Sequence, residues 1–364
     1  MPARSWALVR RGAACAAVAA AIAGCGTTSS KSASSSVVTV SGHDLTVYVS
    51  EPASIGSDPN LQDVAYAEQL AFAQGSSRVT GYKLQMKVVR GATLSDNART
   101  AIQDTSAIAY LGELQPGASL GTVGITQAVD LLQLSPTDTT TPADSDFESL
   151  STYKRNFVRV AGDDAAQGSA IVAEMRALGA SNVYVAADGS RYGDATAAAV
   201  RSAARSASVS VTADEAGAGA IFYGSDDPTA AARFFASAAS AAPRAVLFGP
   251  SALYTPALVG GLSSAVRRLY VSVPGTLPSV FDASGRAFRR AFVAQYGHVP
   301  SVQAYLGYEA MSGLISVLAK AGGDADNRTD VIKDAEAHQF GGSGFVIARL
   351  ARGSLVPWRT APTI

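Results

Sequence analysis

Three histidines (His43, His298 and His338) and two cysteines (Cys15 and Cys25) are the only imidazole and thiol groups in this 364-residue chain. No histidine stands at metal-ligand spacing from another histidine or from a cysteine, and neither an HExxH nor a CxxC pattern occurs. A P-loop and a Gly-x-Gly-x-x-Gly after a strand are also missing. Gly341-Gly342-Ser343-Gly344 reads as a hinge or hairpin corner rather than a phosphate cradle. The residues point away from an enzyme and from metals or cofactors. What remains is recognition: hydroxyls, amides and carboxylates clustered after apolar runs, suited to holding a small polar molecule.

Composition narrows the class. With 48% apolar and 16% charged residues the chain can bury one large core or two ordinary ones, and 29 basic against 29 acidic residues give no electrostatic case for nucleic acid. Residues 1–24 stand apart. Arg4, Arg10 and Arg11 precede an apolar run over 12–22, too short for a permanent span, which ends in Ile22-Ala23-Gly24-Cys25. That tetrapeptide resembles the lipobox of bacterial lipoproteins, which implies cleavage before Cys25 and lipid attachment to its thiol. The alternative is an ordinary secretory signal with a chance cysteine. Cleavage removes Cys15, excluding a disulfide within the mature chain, and takes 29 basic residues to 26 against 29 acidic, a formal charge of −3. Residues 25–44, opening with a serine-rich run, are expected to be a flexible tether.

Beyond the tether, apolar periodicity alternates between that of strands and that of helices. Strands are expected over 45–49, 83–89, 107–111 and 130–134, with helices over 61–74, 96–106 and 121–127. The pattern restarts with strands over 157–160, 182–187, 220–223, 245–248 and 269–273, and helices over 165–178, 192–206, 284–296 and 304–321. An alanine-rich helix near 230–242 lies between two of these strands. Such alternation implies parallel strands with right-handed crossovers, in two doubly wound α/β units rather than one sheet.

The order of landmarks carries a family resemblance. They are Ser50-Glu51-Pro52-Ala53-Ser54 after the first strand, Leu111-Gly112, Leu134-Ser135-Pro136-Thr137-Asp138-Thr139, and Phe157-Val158-Arg159-Val160-Ala161-Gly162 with Asp163, Gln167 and Gly168 behind it. Asp188-Gly189-Ser190-Arg191-Tyr192-Gly193, Phe248-Gly249-Pro250 and Ala304-Tyr305-Leu306-Gly307-Tyr308-Glu309-Ala310 follow. In this order the chain resembles the substrate-binding proteins of branched-chain amino acid (Leu/Ile/Val)-type ABC transporters, the type I periplasmic binding fold, over nearly all of the mature region. The resemblance implies three crossings between lobes, near Arg159, Val273 and Phe345. Lobe one would comprise 45–158 plus 275–342, and lobe two 159–274 plus 343–364.

Ligands of open parallel sheets bind beyond the carboxyl ends of the strands, where helix N-termini present free N–H groups. In lobe one this places Ser50, Glu51, Gln115, Gly117, Ser119, Thr137, Asp138 and Thr139 at the mouth. The resemblance implies that Thr137, Thr139 and the groups near Gly117 hold a ligand carboxylate, and that Tyr192 covers the ligand from lobe two. Asp226 also faces the mouth. The alternative for each is ordinary loop, capping or half-buried packing chemistry. Ser251 is a departure, because amino-acid-binding members carry there the acid that receives the ligand ammonium. Asp138, Asp226 and Glu51 are its candidate replacements, unless the ligand has no ammonium.

The expectation is an extracytoplasmic lipoprotein in the cell envelope that closes two lobes over an amino acid or similar small polar ligand and delivers it to an ABC permease. A ligand-sensing lipoprotein of the same fold is the alternative.

Overall fold

The computed structural model describes residues 38–147, 155–340 and 344–362. Cys25, the segment before it, most of the tether and Gly341-Gly342-Ser343 lie outside the described residues. Among those described, no helix is long and apolar enough to cross a membrane.

The first half of the chain runs β1 (Asp44–Ser50), α1 (Pro59–Gly75), β2 (Lys83–Val89), α2 (Leu94–Gln103), β3 (Ala107–Leu111), α3 (Val123–Gln127), β4 (Leu132–Ser135) and β5 (Phe157–Arg159). These five strands form one all-parallel sheet in the order β2-β1-β3-β4-β5. The chain continues with α4 (Asp164–Ala177), β6 (Asn182–Ala187), α5 (Arg191–Ser206), β7 (Ser210–Thr212), β8 (Ala220–Gly224), α6 (Pro228–Ala241), β9 (Val246–Gly249), α7 (Pro256–Gly261) and β10 (Leu269–Pro274). It ends with α8 (Ala283–Tyr296), α9 (Ala304–Ala321), α10 (Arg328–Ala337), β11 (Phe345–Ala351) and β12 (Ser354–Thr360). The second sheet has the order β12-β11-β10-β9-β8-β6-β7. Each sheet with its covering helices forms a lobe.

Sequence chemistry explains the elements. The run AIAYL of β3 is buried throughout, as both faces of a helix-covered parallel strand require. Most helices start on a capping side chain: Asp58 accepts from Asn60 and Leu61 N–H ahead of α1, Thr93 forms a capping box with Asp96, and Ser190 accepts from Gly193 N–H. In lobe one, α1, α9 and α10 cover one face of the sheet through Ala71, Leu314 and Val331, while α2 and α3 cover the other through Ala98 and Ile125. Helices α1 and α9 approach so closely at Gly307 that a Cβ there would strike the Val64 carbonyl oxygen. In lobe two, α4 and α5 pack Ile171, Met175 and Val200 on one face, and α6 and α7 pack Phe235 and Leu258 on the other.

Three features differ from the sequence expectation. The second sheet is mixed, since β11 pairs antiparallel with β10 and β12 antiparallel with β11. Its C-terminal hairpin was not anticipated, nor were α7, α10 and the three-residue β7. The tether also stops short of 44: Val40 is 2% exposed, its N–H donates to Asp326 O at 2.8 Å, and Thr39 bridges Asn327. Apolar Val38 and Val40 find a place against the loop before α10, which a free linker would leave in water.

Candidate functional site

The loops after β1, β3 and β4 in lobe one, and after β6, β8 and β9 in lobe two, converge between the sheets. Direct hydrogen bonds join the lobes there. Thr139 Oγ1 donates to Asp164 Oδ1 at 2.7 Å, and Gln167 Nε2 donates to Asp164 Oδ1 and Thr139 Oγ1 at 3.2 and 3.3 Å. Gln167 Oε1 accepts from Ser251 N–H and Ser272 Oγ, both at 2.7 Å, and the Tyr192 hydroxyl lies 3.1 Å from Ser251 Oγ. Tyr192 packs against Gly117 of lobe one, whose φ of +85° suits glycine; a Cβ there would stand 3.4–3.5 Å from the tyrosine side chain. Burial, then the Asp164 charge, raises the Tyr192 hydroxyl above its ordinary pKa, and burial raises the Asp164 carboxyl to about 7 against the Thr139 hydrogen bond.

Much of the lobe-one mouth is satisfied by the protein itself. Asp138, fully buried, accepts from Gly117 N–H (2.8 Å), Ser119 N–H (2.9 Å), Thr140 N–H (3.0 Å) and Thr140 Oγ1 (2.8 Å). The Gly117 and Ser119 N–H groups, expected to meet a ligand carboxylate, therefore meet an internal one, and both Asp138 oxygens carry hydrogen bonds from the chain. Ser50 donates to Glu113 Oε2 at 2.7 Å and accepts from Asn97. Glu51, fully buried, pairs with Arg90 at 2.5 Å. Thr137 Oγ1 donates to Leu114 O at 2.5 Å. Glu113, held by Tyr110 and Ser50, is pushed up to about 7 by burial. Glu68, buried without a hydrogen-bond partner among the described residues, is raised well above its ordinary value by burial and then by the charges of Glu51 and Glu113.

Residues 117–121 read Gly-Ala-Ser-Leu-Gly, the spacing of a hydrolase nucleophile elbow. Ser119 is fully buried, however, and its Oγ accepts from Glu113 N–H at 3.3 Å, while the His298 ring engages Asp63 and Tyr296 O. No nucleophile–base pair forms there among the described residues.

A cavity of about 270 Å³ remains in the cleft beside this network. Lobe one contributes Asp58 and Leu61 at the start of α1, the loop Gln115–Ala118, and Gln303 before α9; lobe two contributes Asp226, Ser251, Ala252, Tyr254 and Thr255. Of the residues chosen from sequence, Gln115, Gly117, Asp226 and Ser251 line it. Ser50, Glu51, Ser119, Thr137, Asp138, Thr139 and Tyr192 do not. Asp58, Tyr254 and Gln303 are additions. Asp58-Pro59 carried only a helix-start signal, and an uncharged Gln303 or Tyr254 carries none. Burial raises Asp58 against hydrogen bonds from Leu61 and Asn60, and burial with the Asp58 charge pushes Tyr254 up to about 12. A larger groove, about 840 Å³, follows edge strand β5 and the turn to Asp163, with Thr141 and Pro142 of the loop after β4 on its wall.

Two sheets joined in this order, with a polar cavity beyond the carboxyl ends of their strands, define the type I periplasmic binding protein fold. No family model matches the chain, and no curated protein does. Among solved structures, it is similar to the leucine-binding protein LivK of Thermotoga maritima, with a TM-score of 0.69 and 16% identity over 88% of this chain and 99% of that one. The branched-chain amino acid transporter substrate-binding protein LivJ of Streptococcus pneumoniae, in complex with isoleucine, gives a TM-score of 0.66 and 15% identity over 87% and 99% of the two chains. A solute-binding protein of an ABC transporter from R. palustris, in complex with benzoate, gives 0.64 and 17% over 88% and 97%.

Proposed function

We propose that this chain is a non-catalytic solute-binding protein of an ABC importer, anchored through lipid on Cys25 at the extracytoplasmic face of the membrane. It closes its lobes over a small polar ligand and presents the closed form to a permease. The observation that carries the reading is the interlobe cavity, whose polar walls come from strand-end loops of both sheets. The fold, and similarity to a leucine-binding protein and to solute-binding proteins in complex with isoleucine and benzoate, support it.

A thermal-shift screen of amino acids, amines, organic acids and polyols tests the binding role. Ligand at 100 times its Kd adds about 2.7 kcal/mol to folding stability. A library without a single stabilising compound counts against it. For the anchor, Cys25→Ala releases the protein from washed membranes; retention in the membrane fraction rejects that part.

A further inference from the structure

We infer that the cleft cavity takes a small organic cation, an amine without a carboxylate, held between Asp58 of lobe one and Asp226 of lobe two. This deepens the solute-binding reading and rests on it.

Three independent observations carry the inference. The first is the fate of the anion-binding groups. Gly117 and Ser119 N–H, two backbone donors at this end of lobe one, are engaged by the buried Asp138 carboxylate, and no arginine, lysine or histidine lines the cavity. A ligand carboxylate would meet no cation and would sit among like charges. The second is the charge that is present. Asp58 of lobe one and Asp226 of lobe two both line the cavity, and Asp226 pairs with no cation among the described residues. An ammonium between them gains a charge-assisted partner from each lobe.

The third is unmet hydrogen-bonding capacity in the same walls. Gln303 is 4% exposed and Tyr254 8%, and neither side chain forms a hydrogen bond among the described residues. Both side chains border the cavity with no partner among the described residues, so their polar atoms are free to meet an occupant. The Gln303 carbonyl and Tyr254 hydroxyl can accept from an ammonium, and the Gln303 amide can donate to a hydroxyl or ether on the same ligand. Leu61 and Ala252 leave a short apolar wall for its carbon chain.

The test titrates the purified protein by calorimetry with aliphatic primary amines, diamines and quaternary ammonium compounds, each beside its amino-acid and carboxylic-acid counterpart. Amines are expected to bind at least about tenfold more tightly than their amino acids, and acids not to bind. Asp58→Asn, which keeps a capping side chain, and the exposed Asp226→Asn should each weaken amine binding about tenfold or more, with unliganded melting temperatures near the parent's. Binding of amino acids or acids in preference to every amine overturns the inference and leaves the solute-binding reading standing. Amine binding unaffected by either substitution overturns the placement between the two acids. If no compound here or in the wider screen binds, the solute-binding reading fails and the inference falls with it.

Discussion

Replacing Asp138 tests whether its carboxylate builds the loop or serves a ligand. The side chain is fully buried and gathers three backbone N–H groups from positions 117, 119 and 140 together with the Thr140 hydroxyl. In Asp138→Ala the Gly117 N–H, near the cavity, can turn to water. Those of Ser119 and Thr140, 0% and 3% exposed, cannot. At about 1–3 kcal/mol for each stranded buried donor, the loss is about 2–6 kcal/mol, a large share of the roughly 5–15 kcal/mol that holds a domain together. Asp138→Asn keeps Oδ1 and three of the four contacts but turns an amide toward Ser119 N–H, costing about 1–3 kcal/mol. Urea denaturation monitored by circular dichroism reads both, as a lower midpoint at unchanged slope. An Asp138→Ala protein within about 0.5 kcal/mol of the parent that no longer binds ligand would refute the structural role and return Asp138 to the ligand.

Gly307→Ala forces a methyl group into the Val64 carbonyl where α1 meets α9, and should lower stability by about 1–3 kcal/mol, seen as a fall in Tm. Arg359→Ala strips both hydrogen bonds, 2.9 and 2.7 Å, from the fully buried Glu174; since Arg359 is 38% exposed, a loss of about 1–3 kcal/mol is expected, partly restored by adding Glu174→Gln. Burial holds Glu113 and Asp164 at about 7, so between about pH 4 and 7 the folded chain keeps protons that the unfolded chain has released, and stability falls as pH rises through that window. Asp146, held low by Arg191, works the other way and loses its contribution below about pH 4. Scanning calorimetry should therefore give a higher Tm near pH 5 than near pH 8, with the decline flattened in the double variant Glu113→Gln, Asp164→Asn; a Tm that climbs steadily to pH 8 contradicts the assignment.

The alternation of strands and helices was readable because buried strands such as 107–111 are unbroken apolar runs and the helices open on capping residues. The hairpin β11–β12 was not, since Pro357 and Arg359 interrupt the second strand, which survives at the sheet edge where a missing N–H is tolerated. Of the residues chosen at strand ends, Gln115, Gly117, Asp226 and Ser251 line the cavity. The internal bonds of Asp138 were not legible for a physical reason: a loop carboxylate reads alike whether it captures an ammonium or its own chain's N–H groups about twenty residues away. That choice is made by tertiary folding. The Thr139–Asp164 contact is equally invisible, because it joins two lobes whose closeness no local pattern records.

The order in which the chain is threaded through its two cores fixes when each can form. Strand β1 lies under α9, more than 250 residues later, and β10 finds its β11 neighbour only after α8, α9 and α10 have passed. A nascent chain that has reached residue 300 thus holds a first sheet with α1 alone on the face that α9 and α10 will join, and a second with β10 as a bare edge, so neither core is finished. Pairings this remote in sequence form slowly. Most of the polypeptide is therefore made before either core is complete, and the open edge of β10 waits for its partner until residues 345–360 arrive.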